Sequence, residues 1–238
     1  MIYERYFRRA ERVRWQIDDF DFGAVDAERA AARPDLLATL REAALIESYA
    51  PMFALRGLRS WWNSIEESAI ASIQFYEEYK HYFALKLYLE RAGIEIPERE
   101  ILSVRTEEAT APYRDKVRQL ANYMVSEHFT AYFYQRLLEQ ADEPVLRRLL
   151  ECLIADERRH CSVYFDLLAQ RIVNDRSEID SVLEEVVEFR HQASEVVGEN
   201  VPVAMRNDFE AVVHLWNRVE RLTGVDVRTL RRQALPSA

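Results

Sequence analysis

Glu78-Tyr79-Lys80-His81 and Glu157-Arg158-Arg159-His160 decide the reading of this chain. In each, a carboxylate and an imidazole stand three residues apart. Positions i and i+3 share a face of a helix, so both side chains can address one metal ion. Each pair also follows, about 30 residues on, a glutamate in an apolar helical stripe: Glu47 before the first and Glu127 before the second. The pattern is Glu…Glu-x-x-His twice over. It supplies Glu47, Glu78, His81, Glu127, Glu157 and His160, six ligands for two metal ions, once the helices carrying them pack together.

Packing of that kind requires the ligands to replace apolar residues on inward faces, which the 3.6-residue period tests. Around Glu157 the stripe reads Leu150, Leu153, Ile154, His160, Cys161, Tyr164 and Leu168. Around Glu127 it reads Leu120, Tyr123, Met124, Thr130, Ala131, Tyr134 and Leu138. Glu78 has Ala71, Gln74, Phe75, His81, Tyr82, Leu85 and Leu89; Glu47 has Leu40, Ala43, Ala44, Ala50, Pro51, Ala54 and Leu58. A lone ionised glutamate in such a stripe is costly. Two divalent ions balance four carboxylates and remove that cost.

The short motif by itself proves little. With 28 Glu and five His in 238 residues, chance supplies about 0.6 copies of Glu-x-x-His. A third copy, Glu188-Phe-Arg-His191, sits in a stripe with Ser181, Glu184, Glu185, Gln192 and Glu195 and reads as a solvated face. Placement and pairing separate the first two copies from it. A set of buried salt bridges is the competing reading. Two assignments stay open: Glu77 could reach His81 in place of Glu78, and Glu42 competes with Glu47.

Composition bounds the rest. The apolar fraction of 49% allows a sizeable core. Five glycines, seven prolines and long Ala/Leu/Glu/Arg segments indicate an all-α fold. A net charge of −9 argues against nonspecific nucleic-acid binding. No apolar run approaches the roughly 20 residues of a membrane span, and the first residues lack the apolar core of a signal peptide. Cys152 and Cys161 lie too far apart on one helix to bridge. A cytoplasmic, reduced protein is the expectation.

Along the chain, residues 1–34 read as an arm, 35–175 as a four-helix metal-binding bundle and 176–238 as accessory C-terminal helices, within a single domain. The first core helix is expected from an Asp35 cap to about Leu58, kinked at Pro51, which removes the hydrogen bond to the carbonyl of Glu47. A second starts at Asn63 or Ser64, where Ser64-x-x-Glu67 fits a capping box, and runs to about Ala92 before Gly93. A third is expected from about Glu107 to Gln140, a fourth over 143–174 and a fifth over 177–197. Gly198 to Pro202 then breaks the chain before one or two short helices divided near Gly224.

At the six ligands, at Asp156-Glu157-Arg158-Arg159-His160 and at Trp15-Gln-Ile-Asp-Asp-Phe-Asp, the chain resembles the ferritin-like di-iron carboxylate superfamily. Within it, the likeness is to soluble acyl-carrier-protein desaturases and to ribonucleotide reductase small subunits with their oxidase relatives, over roughly residues 10–175. The resemblance implies a ferritin-like four-helix bundle whose ligand formula is of this type. It implies that Asp156 accepts a hydrogen bond from His81, that Trp15 bonds this Asp and passes electrons inward, and that Thr130 lines an oxygen-activation pocket. Leu85 stands where reductase subunits keep a radical tyrosine. Leu153 replaces the extra histidine of arylamine oxygenases, and Ala50 replaces the valine of crosslinked oxidases. Two cysteines cannot supply a rubredoxin module.

The activity implied is that of an oxidoreductase holding two Fe ions, or Mn/Fe, that activates O2 for hydrogen abstraction, desaturation or hydroxylation. Its partners would be a small organic or carrier-bound substrate and an external electron donor, and a homodimer is compatible with the resemblance. Tyr76, Tyr82, Phe75, Phe129 and Cys161 are candidates to line or neighbour the pocket, aromatic core packing being the commoner role for such residues. The alternative is a non-catalytic or metal-storage ferritin-like protein.

Overall fold

The computed structural model describes residues 1–103, 105, 115–189 and 208–226. Its described part is helical, without strands. The helix ends follow local chemistry. Ser64 caps α5 (Ile65–Arg91), its hydroxyl joined to the Glu67 carboxylate as in a capping box. Gly93, at φ 83°, ends that helix: Gly93 N–H bonds the Glu90 carbonyl at 3.2 Å and Ile94 N–H the Leu89 carbonyl at 2.8 Å. This paired closure satisfies the last carbonyls and needs a left-handed residue, which glycine supplies without strain. Asp115 caps α7 (Lys116–Gln140) through the amides of Val117 and Arg118. Glu143 accepts from Leu146 N–H at 2.8 Å and Pro144 opens α8 (Pro144–Asn174).

The first core helix departs from expectation. It is two helices, α3 (Pro34–Glu47) and α4 (Ala50–Trp61), separated at Ser48-Tyr49. Pro51 has no N–H for the Glu47 carbonyl, so the ladder stops there instead of kinking. Tyr49 N–H turns back to the Ile46 carbonyl at 3.0 Å, and Met52 N–H restarts the ladder on the Tyr49 carbonyl at 2.8 Å. The opening residue is Pro34 with Arg33 before it, so Asp35 lies in the first turn and is not the cap. The second segment extends beyond Leu58 to Trp61. The expected start at Glu107 lies outside the described residues. Of the fifth helix, α9 (Glu178–Glu188) is described and ends before an extended Phe189, and the remainder to 197 lies outside.

α3 and α4 pack along α5, α7 packs along α8, and α5 meets α8. The two long pairs thereby face one another across the core. α1 (Ile2–Val13) lies against both α5 and α8. Its first amides, Ile2 and Tyr3, donate to the Glu66 carboxylate at 3.2 and 2.8 Å, so α5 supplies the cap that α1 lacks. Tyr6, Trp15, Phe20 and Phe22 of the arm belong to the same buried core as the long helices. After the short α2 (Ala27–Ala31) and α6 (Glu98–Ser103), α9 covers α7, and α10 (Phe209–Thr223) covers α7 and α8. No helix among the described residues is long and apolar enough to cross a membrane.

Candidate metal centre

Glu47 comes from the last turn of α3, Glu78 and His81 from the middle of α5, Glu127 from α7, and Glu157 and His160 from α8. All six are buried, and both imidazoles are fully so. They form two overlapping groups, Glu47-Glu78-His81-Glu157 and Glu78-Glu127-Glu157-His160, with one ligand atom from each residue within 4.8 Å of the others. Each group could hold a metal ion.

The shared members are Glu78 and Glu157. Glu78 lies 3.4 Å from His81 Nδ1 through one oxygen and 2.9 Å from His160 Nδ1 through the other. Glu157 likewise spans 3.2 Å to His81 Nδ1 and 3.5 Å to His160 Nδ1. Glu47 stands 3.8 Å from the first ring and Glu127 3.3 Å from the second. Two carboxylates common to both groups and two belonging to one group each thus surround a pair of rings whose centroids are 6.0 Å apart.

His81 Nδ1, His160 Nδ1 and both oxygens of Glu157 are buried without a hydrogen-bond partner. Orphaned buried polar atoms are uncommon and cost about 1–3 kcal/mol each. Here four of them converge, and all are of the type that binds first-row divalent metals. The donor set therefore fits a metal ion.

The opposite ring nitrogens are held from behind. His81 Nε2 meets Asp156 at 3.1 Å, and His160 Nε2 meets Glu77 at 2.8 Å. Such partners leave Nδ1 as the ligating atom and fix the ring plane. Trp15 Nε1 donates to Asp156 at 2.8 Å, and its ring stacks on His81 with centroids 6.2 Å apart. Lys80 Nζ lies 3.7 Å from Asp156 and 3.9 Å above the Trp15 ring. Arg159 joins the two backing carboxylates, 2.7 Å from Asp156 and 2.8 Å from Glu77. Tyr6 OH donates to Glu77 at 3.4 Å. Among the carboxylates, Gln74 donates to Glu78 at 3.0 Å and to Glu127 at 2.7 Å, while its own carbonyl accepts from Tyr164. Tyr134 donates to Glu47.

In the metal-free centre, burial raises the pKa of Glu47 and Glu127 well above the usual carboxylate range, and the charges of Glu78 and Glu157 add to the rise. Burial opposes ionisation of Glu78 and Glu157 too, yet the flanking imidazoles outweigh it and hold both below that range. Desolvation disfavours imidazolium at His81 and His160. The surrounding carboxylates overcome it and hold both rings well above the ordinary histidine value. Asp156 is depressed by His81 and Arg159 against its own desolvation.

A cavity of about 50 Å³ adjoins Glu47, Glu127 and Glu157. Phe53, Phe75, Tyr123 and Phe133 give it apolar walls, with Ser126 and Thr130 among its polar lining. Thr130 is half-buried there, its hydroxyl donating to the Ser126 carbonyl at 3.0 Å.

Of the five residues expected to line such a pocket, only Phe75 does. Tyr76 points to solvent at 56% exposure. Tyr82 is buried elsewhere, and Phe129 stacks on Phe189. Cys161 bonds the Met124 carbonyl, and burial pushes its thiol up to about 12. Glu42 is half-buried and belongs to neither ligand group. Glu77 serves the other ring instead of His81. Its position directly before Glu78, matching Asp156 before Glu157, was the signal for that role. Glu188 is an exposed partner of Arg118 at 2.6 Å, while His191 lies outside the described residues.

Fold and site together define an all-helical protein with a buried four-glutamate, two-histidine cluster able to hold metal. No protein-family model matches the chain, and no curated protein matches it.

Proposed function

We propose that the chain is a dinuclear metal oxidoreductase of the ferritin-like type, with α3/α4, α5, α7 and α8 as its four-helix bundle, that activates O2 to oxidise an organic substrate. The observation that carries the reading is the meeting of two buried ligand groups that share Glu78 and Glu157, in which His81 Nδ1, His160 Nδ1 and both Glu157 oxygens have no hydrogen-bond partner. A pair of Fe ions, or Mn and Fe, held by Glu47, Glu78, His81, Glu127, Glu157 and His160 would supply the redox chemistry.

The side chains supply the rest. Glu77 and Asp156 hold the ring tautomers, while Gln74 and Tyr134 aim the carboxylates. The aromatic walls keep bulk water from the open face, and the Thr130 hydroxyl borders the space where O2 and substrate meet. Trp15, bonded to Asp156 and stacked on His81, is the entry point for electrons from an external donor. A cavity of about 50 Å³ takes a few water-sized molecules, which favours a compact substrate over a long acyl chain.

The test is metal content with O2 turnover. Purified protein loaded anaerobically with Fe(II) should retain about two ions per chain and consume O2 in stoichiometric single turnover. Glu157→Ala or His160→Ala should lose both properties. Full metal retention in either variant would sink the assignment. Uptake of many ions per chain would favour storage.

A further inference from the structure

Arginines at 5, 8, 9 and 12 of α1 follow the spacing i, i+3, i+4, i+7, which places four guanidinium groups on one helix face. Like charges at this spacing repel, and the chain as a whole is acidic. The acidic residues of α1 do not neutralise the face. Glu4 pairs with the N-terminal amine at 3.6 Å and Glu11 with Arg14 at 2.6 Å. Arg5 reaches Asp166 of α8 at 3.2 Å, and Arg12 Nε donates to the Arg8 carbonyl of its own helix. Arg8 and Arg9 have no ion pair among the described residues.

All four line a cavity of about 350 Å³ between α1 and α8. Buried Arg159, 3% exposed, also lines it, and its Nε has no hydrogen-bond partner. The four guanidinium groups of α1 thus meet one carboxylate, Asp166, around a concave space the size of a small-molecule site, while Arg159 at its wall is paired with Glu77 and Asp156.

We propose that this cavity binds a small polyanion of the phosphate class. The planar forks of arginine match phosphate oxygens two at a time, and the excess of three positive charges left by Arg8, Arg9 and Arg12 calls for a multiply charged ligand. Concavity favours a small molecule over the flatter surface of an acidic protein. The site needs no metal for its formation. Arg159 connects it to Glu77 and Asp156, the two carboxylates behind the histidine rings.

Calorimetric titration of the full chain at low salt with inorganic triphosphate tests the proposal. A saturable 1:1 isotherm is expected. Arg8→Ala/Arg9→Ala should weaken it at least tenfold, with an unchanged far-ultraviolet spectrum. The wild-type affinity should fall steadily with added salt. Parallel titrations with citrate and with a nucleoside triphosphate separate the sources: weak citrate binding confirms the phosphate preference, and a tighter nucleotide marks a base subsite. Absence of binding, citrate binding as tightly as triphosphate, or equal affinity in the folded double variant would overturn it.

Discussion

Glu127→Gln separates a metal centre from an ionic scaffold by the sign of two effects. In the metal-free protein, Glu127 is buried, and desolvation with the charges of Glu78 and Glu157 opposes its ionisation. Glutamine keeps the shape. Its carbonyl can still accept the Gln74 N–H now 2.7 Å away, and only the 3.3 Å approach to His160 loses charge. Metal-free stability should therefore hold within about 1 kcal/mol, since the lost hydrogen-bond increment is of that size. Were the cluster a stabilising ion network, breaking a buried pair would cost about 3–5 kcal/mol. At about 2–4 °C per kcal/mol for a chain of this size, the two readings differ by roughly 10 °C in Tm. Metal reverses the ranking. A ligand at a thousandfold excess over Kd adds about 4 kcal/mol per site, so wild-type Tm should rise by roughly 8–16 °C for each ion bound. Glu127→Gln removes a terminal ligand beside His160 and should lose at least half of that increment. The assay is thermal unfolding by circular dichroism, in EDTA and in anaerobic Fe(II). A variant that melts 10 °C lower without metal, beside a wild type indifferent to Fe(II), would refute the reasoning.

The remaining expectations concern the surrounding shell. Glu77→Gln, at 2.8 Å from His160 Nε2, should lower metal affinity about 10–100-fold; a competitive chelator titration reads it, and an unchanged affinity means the ring needs no such partner. Tyr134→Phe should weaken metal binding about tenfold through loss of the bond to Glu47 while leaving the fold intact, as measured by metal content after dialysis. The metal-free protein should be most stable near pH 4.5 and lose stability as pH rises from there, more steeply above 6.5, by urea unfolding across pH. The raised pKa values of Glu47, Glu127, His81 and His160 give stability that is lost as pH rises past their unfolded values of 4.5 and 6.5. The lowered values of Glu78, Glu157 and Asp156 give stability that is lost as pH falls below 4.5 and 3.8. A monotonic rise to pH 9 would contradict this balance. Gly57→Ala should destabilise by about 1 kcal/mol in chemical denaturation, since a Cβ there meets Phe75 and Trp61 at 3.2 Å and overpacking outweighs the gain in helix propensity; a stabilised variant would show that Phe75 has room to shift.

Local signals in the sequence carried most of the helical architecture. Ser64, Gly93 and Pro144 each act through a backbone group that must be capped or released, so their effect is readable without knowing the neighbours. Pro51 was readable only in part. It deletes the bond to the Glu47 carbonyl wherever it stands, but whether the chain kinks or breaks depends on what receives Tyr49 and Phe53. Inward faces followed from periodicity, which brought the six candidate ligands into view. Periodicity cannot say which residue of one helix meets which of another. Gln74 stands in the stripe of Glu78, and nothing local shows that it also bonds Glu127, 53 positions away. Tyr134 stands in the stripe of Glu127, and its bond to Glu47 spans 87 positions. Aromatic residues were the least legible. Adjacent positions on a helix differ by about 100°, so Phe75 faces the cavity while Tyr76 faces water.

The repeat that sequence showed as Glu-x-x-His is longer in space: Glu77-Glu78-Tyr79-Lys80-His81 answers Asp156-Glu157-Arg158-Arg159-His160. In each, the second residue and the last turn toward the centre. The first turns aside by a helical step and backs the histidine of the other helix, Asp156 behind His81 and Glu77 behind His160. The fourth is basic, and both basic residues lie near the backing carboxylates, Lys80 at Asp156 and Arg159 at both. Each helix thus provides one imidazole and the group that orients its neighbour's. The two half-sites therefore cannot form independently: sliding α5 against α8 would separate both rings from their partners together. The arm reinforces the exchange unequally, giving Asp156 an indole at 2.8 Å and Glu77 a phenol at 3.4 Å. That inequality, imposed on a nearly symmetric core, distinguishes the His81 side from the His160 side.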